Sequence, residues 1–275
     1  MKVLLSKIAV LGLGGLPILV LAWILIDISY SGLSEISWSF LTEVPTNAGR
    51  SGGISSVIVS TLWVVSIATM ISTFIGLATA IILSELSAKW EKFCLIVRWS
   101  LDILAGVPSI VFGLFGNAFF SQVCGFGFSI LSGALTLTVM MLPFFIRVAE
   151  EGLRQVPNVY RKTGYALGMR PLSVTFKIVV PQASKAIVIG LVLSLARAMS
   201  ETAALLFTSG YVERWPESVF DSGRVLSIHI YDLAMNVPGG IERANASALV
   251  LIGLLIAINL IIYSIADFWQ RKRVV

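Results

Sequence analysis

Between Ile103 and Ile146 the chain carries no charged residue, and the same holds from Ile54 to Ser84. A helix crosses a hydrocarbon core of about 30 Å with about 20 apolar residues, and in lipid only helices or closed barrels satisfy their own backbone hydrogen bonds. Composition agrees with a lipid solvent. Of the 275 residues 57% are hydrophobic and 13% are charged, and the mean hydropathy of +0.91 lies outside the usual globular range.

Uncharged runs of membrane length predict an all-α polytopic membrane protein with about six transmembrane helices. The first (about 8–30) follows Lys2 and Lys7 and lacks a small-residue cleavage site, so it reads as an uncleaved span. The second, Ile54 to Ser84, is longer than the core and must tilt or project. The stretch from Ile103 to Ile146 makes two spans, divided by the turn-like CGFGF at 124–128. A fifth starts near Val179, and a sixth runs from about Ala246 to Ala266 before the terminal RKR.

Six spans place both ends on one side of the membrane. With the N-terminus in the cytoplasm, the inside segments hold fourteen Lys and Arg and the outside segments four: Arg50, Arg214, Arg224 and Arg243. That asymmetry predicts cytoplasmic termini. Topology and anionic membrane lipid account for the net charge of +5 without nucleic acid. Cys94 and Cys124 fall on opposite sides, which argues against a disulfide. The lone His229, with no Cys or carboxylate cluster beside it, reads as structural, and no metal site is expected. GLGG at 12–15 and GLFG at 113–116 read as close-packing sites on helices. No GxxxxGK[ST] sequence is present, so the chain should not bind nucleotide through a P-loop, and no cofactor is expected.

The inside loop between spans four and five, about 150–178, is long for a hairpin link. Val156-Pro157-Asn158 begins a short helix, Val159, Lys162, Thr163, Ala166 and Leu167 recur at helical spacing, and Gly168 can end it in the left-handed conformation. Pro171 favours a second short element, and Pro181 marks the start of span five. This order resembles the cytoplasmic coupling loop of type I ABC importer permeases. Gly168, Ile178 and Pro181 match its pattern, while Lys162, Thr163 and Gly164 replace Glu-Ala-Ala and Val180 replaces Leu. The resemblance implies an ATPase-docking surface formed by Pro157, Tyr160, Lys162, Thr163, Gly164, Ala166, Leu167 and Gly168.

GVPSIVFGLFG at 106–116 and LSLARAMSETAALLFTSGY at 193–211 narrow this to a resemblance to the PstA-type permease subunits of bacterial phosphate ABC importers. Ser200 and Ala204 replace the glycine and proline of that pattern, and the similarity runs from about Gly52 to Asp267. It implies one transmembrane permease domain over 1–275, in the bacterial inner membrane, translocating inorganic phosphate. It also implies a second, PstC-type permease subunit, two ATP-binding subunits and an external phosphate-binding protein.

Arg197 and Glu201 are the unusual residues, because a charge at the bilayer centre costs roughly 2.5–3.5 kcal/mol on insertion scales. On a continuous helix Gly190, Ser194, Arg197, Glu201 and Thr208 form one narrow polar stripe, with Arg197 and Glu201 spaced to pair. Two readings follow. Either the pair is a structural staple between helices, or Ser194, Arg197, Glu201 and Thr208 line the substrate path and Arg197 attracts an oxyanion. Permeases for molybdate, tungstate or sulfate, and an ion-coupled secondary transporter, are the alternative functions. The spans hold no cluster for catalysis, so no enzyme activity is expected of the chain itself.

Overall fold

The computed structural model describes residues 2–86 and 90–271, with side chains described over 14–86 and 90–267. Lys2, Lys7, Lys89, Arg271, Lys272 and Arg273 of the orientation count lie outside the described side chains. Helix α1 (Lys2–Gly32) is followed by short α2 (Trp38–Thr42) and a hairpin pairing β1 (Pro45–Thr46) with β2 (Ser51–Gly52). Then come α3 (Ser55–Glu85), α4 (Glu91–Ala105), α5 (Ser109–Gly116) and a π-helical extension to Val123. Helix α6 (Ile130–Arg154) leads to α7 (Asn158–Ala166) and α8 (Pro171–Val174), which continues through a π turn into α9 (Val180–Gln182). The chain closes with α10 (Ser184–Met199), α11 (Ala203–Leu206), α12 (Leu226–Met235) and α13 (Ile241–Arg271).

Among the described residues four helices are long and apolar enough to cross a membrane, and the number rises to six when each of two bent pairs is taken as one span. Helix α6 is the central post, packed against α3, α4, α5, α10 and α11, while α13 bridges α1, α10 and α12. Helices approach closely where a side chain is missing: Gly76 faces Phe145, and a Cβ on Gly190 would lie 2.9 Å from Val148. One core cluster gathers Ala68, Phe112, Leu137, Met141 and Ala198. A second, at the end bearing α7, gathers Leu83, Cys94, Ile146, Leu153 and Val174.

Local chemistry explains the element ends. Gly125 (φ 74°) and Gly127 (φ 62°) make the turn expected at 124–128, and Ser129 then caps α6 by accepting from the Ser132 amide. The third span differs from the sequence expectation. It begins at Glu91, includes Arg98 and Asp102 in its helix, and bends by 103° between Ala105 and Ser109. Pro108 supplies the physical reason: it offers no N–H to a helix and disfavours helical geometry at Val107. The fifth span bends by 67° near Pro181, between the segment 171–182 and α10.

The small-residue motifs divide. Gly113 and Gly116 are close-packed, Gly113 against Ala204 and Gly116 against Thr136. Among the described residues nothing lies within 4 Å of a Cβ position on Gly14 or Gly15, and Gly12 of the same motif lies outside the described side chains.

Candidate functional site

The fifth span is not one helix through Glu201, and this corrects the continuous polar stripe. Helix α10 stops at Met199, where the Ser200 hydroxyl donates back to the carbonyls of Ala196 (3.2 Å) and Arg197 (3.0 Å). The Glu201 carboxylate then accepts from the Ala204 amide at 3.5 Å, at the start of α11. From α12, Ser227 donates to the Glu201 carbonyl at 2.7 Å. Neither Gly nor Pro marks this break, so the apolar pattern runs through it.

The break separates the predicted stripe into parts. Ser194 is buried and its hydroxyl returns to the Gly190 carbonyl at 2.7 Å. Thr208 is buried and donates to the Ala204 carbonyl at 2.9 Å. Glu201 is half-buried. Arg197 is exposed, on a face of α10 that it shares with Lys185, Ile189 and Leu193, and among the described residues it has no ion-pair partner. The expected Arg197–Glu201 pair is therefore not formed. The first bent span meets the segment beyond the break here: α5 packs on α11, with the Cβ position of Gly113 2.9 Å from Ala204 Cα.

At the other candidate region Pro157 stands at the N-cap of α7. The helix ends in two bonds, Met169 N–H to the Gly164 carbonyl and Gly168 N–H to the Tyr165 carbonyl, around Gly168 at φ +76°. Gly164 is buried, its Cβ position 2.8 Å from Val174 and 3.1 Å from Ile178, so only a very small residue lets α7 lie on the following segment. Tyr160, Lys162, Thr163, Ala166 and Leu167 are exposed.

The ion pairs that hold this end together were not anticipated. Arg161 reaches Glu85 at 2.6 Å and also donates to the carbonyls of Val156 (2.7 Å) and Leu153 (2.9 Å). Buried Glu150 is surrounded by Arg98 (2.7 Å), Arg154 (3.2 Å) and Arg147 (3.6 Å), and Arg147 also pairs with Asp102. Only the Arg147/Glu150/Arg154 spacing was available as a local sequence signal.

A bundle of membrane-length helices with two bent spans, a charge beside one break and an ion-paired loop at one end defines a polytopic membrane transport subunit. The chain belongs to the binding-protein-dependent transport system inner membrane component family, whose profile matches residues 76–275. The probable ABC transporter permease protein YqgI of Bacillus subtilis (strain 168) is 28% identical over 277 residues, covering 94% of this chain and 92% of that protein. The phosphate transport system permease protein PstA 1 of Mycobacterium tuberculosis (strain CDC 1551 / Oshkosh) is 32% identical over 263 residues, covering 94% and 85%. Among solved structures, an inward-facing conformation of the MetNI methionine ABC transporter matches with a TM-score of 0.59 at 17% identity, over 80% of this chain and 95% of that one. The fold is that of a type I ABC importer permease, and the chain is a multi-pass permease subunit.

Proposed function

We propose that this subunit moves inorganic phosphate inward across the bacterial inner membrane, with its termini in the cytoplasm and ATP hydrolysed on two separate partner subunits. The observation that carries the reading is Arg197, exposed and unpaired beside a broken span, in a chain 32% identical to a phosphate transport permease. An arginine turned to lipid would be costly, so the bare face of α10 is better suited to water or to a second, PstC-type permease subunit. The guanidinium fork matches paired phosphate oxygens, and a water-exposed site keeps that attraction weak enough for release.

In this reading an external phosphate-binding protein delivers the anion, and the ATP-binding subunits dock on α7 through the surface from Pro157 to Gly168. Arg197 and Glu201 border the path, while Ser194 and Thr208 support it from within the bundle. ATP-driven uptake into proteoliposomes containing the whole complex tests the anion. Labelled phosphate should be taken up on ATP addition, with molybdate, tungstate and sulfate competing poorly; preferential uptake of one of those would replace the substrate. Cysteines at Val159 or Ala166 should cross-link to an ATP-binding subunit, and reporters should place Lys177 in the cytoplasm and Arg224 outside.

A further inference from the structure

From Gly152 to Gln182 the chain contains no Asp or Glu but has Arg154, Arg161, Lys162, Arg170 and Lys177. Two of these five pair with acids outside the segment, Arg154 with Glu150, which it shares with two other arginines, and Arg161 with Glu85. Lys162, Arg170 and Lys177 are exposed and have no ion-pair partner among the described residues.

Helix α7 has two distinct sides. Arg161 and Gly164 face the body of the protein, one held by Glu85 and the other by Val174 and Ile178. With 3.6 residues per turn, Val159, Lys162, Thr163 and Ala166 fall within about 100° of arc on the opposite side. All four are exposed. Leu167 at the end of α7 and Leu172 and Phe176 in the following segment are also exposed, at 76%, 70% and 57%.

The placement of Lys162 favours a protein over lipid on this face. A helix lying in a lipid interface keeps cations off its apolar face. Here Lys162 shares its face with Val159, three residues before it, and Ala166, four after it. A cation set among apolar groups fits a protein cleft that supplies the opposite charge. We propose that the ATP-binding subunit seated on α7 has an apolar cleft rimmed by acidic side chains, one of which faces Lys162. This inference rests on the docking function proposed above and adds the sign of the partner's charge. Attraction of this kind raises the association rate and weakens with salt.

The test measures binding of the ATP-binding subunit from the same transport system to the assembled permease pair in nanodiscs. Lys162 is exposed, so Lys162→Glu and Lys162→Gln should leave the fold intact. Affinity should fall about tenfold for Lys162→Glu and about threefold for Lys162→Gln, and the wild-type affinity should fall as ionic strength rises. An acid-to-lysine change in the cleft should restore binding to Lys162→Glu. Undiminished binding by Lys162→Glu, with binding abolished when 157–170 becomes a Gly/Ser linker, would overturn the acidic rim and leave docking at α7 intact. Binding that survives the linker as well would remove the docking reading itself. A Lys162→Glu effect seen only in discs of anionic lipid would overturn the proposal and assign the face to the membrane.

Discussion

Arg161 of α7 is bound to Glu85, the last residue of α3, at 2.6 Å, with their side chains 15% and 10% exposed. The pair joins the loop helix to the end of a membrane-length helix, and the Glu85 hydrogen bond raises the Arg161 pKa further above its ordinary value against the opposing effect of burial. Two further bonds from the same guanidinium, to Val156 and Leu153, tie α7 to the end of α6. One side chain thus ties α7 to the ends of two membrane-length helices.

Removing either partner leaves the other charge mostly buried without compensation. Arg161→Gln or Glu85→Gln should each cost about 3 kcal/mol, and the double change should cost less than the sum of the two. Melting of the purified complex would give the coupling, and hydrogen exchange over 157–170 should quicken in either single variant. Additive losses with unchanged exchange would mean that the two side chains act independently and that their pairing does not hold α7.

Glu150 is the second point of attachment. Its side chain is 4% exposed and three arginines surround it, one from α4 and two from α6. Glu150→Gln should destabilise by about 3 kcal/mol, because Arg98 loses a buried counter-charge. Asp102→Asn should cost under about 1 kcal/mol, since Asp102 is 59% exposed and Arg147 keeps Glu150. Thermal melts of the two variants should therefore rank clearly apart.

These pairs also mark what could be read from the chain. Uncharged runs specify the long helices because lipid leaves the backbone few options, and the short helix ending at Gly168 follows from glycine's left-handed freedom. Glu85 and Arg161 are 76 positions apart, and no periodicity relates them. The break at Ser200 was hidden for a different reason. No Gly or Pro stands near Ser200 and the hydrophobic pattern does not change there, yet Arg197 and Glu201, four apart in sequence, are not on one helix.

His229 gives a pH prediction. It lies in α12, ten residues long and too short to cross a membrane, fully buried beside Gly49, with neither ring nitrogen hydrogen-bonded. Burial first, then the nearby Arg224 and Arg243, push its pKa from 6.5 down to about 3. The unfolded chain then binds more protons than the folded one between these values. The contribution of neutral His229 is complete above about pH 6.5 and is lost as pH falls toward 3, at roughly 1.4 kcal/mol per unit. His229→Leu should flatten that acid limb while leaving stability near pH 7.5 little changed. An unaltered acid limb in the variant would show that other groups govern it.

The remaining prediction concerns Arg197, where folding and transport make separable demands. Its side chain is exposed on α10 and has no ion-pair partner among the described residues, so Arg197→Gln should change stability by under about 0.5 kcal/mol. The variant keeps hydrogen-bond donors but loses the field that attracts an anion. ATP-driven phosphate uptake should fall at least about tenfold at matched protein levels, while assembly and ATPase binding persist. Arg197→Lys should lie between the two, because it keeps the charge and loses the planar fork. The exchange Arg197→Glu with Glu201→Arg discriminates further. It puts a carboxylate on the bare face of α10 and removes the Glu201 oxygen that accepts from the Ala204 amide. Uptake should then be lost even if the complex still forms. Uptake by Arg197→Gln at the parent rate would take Arg197 out of the path, and the exposed face of α10 would then be read as a contact between permease subunits.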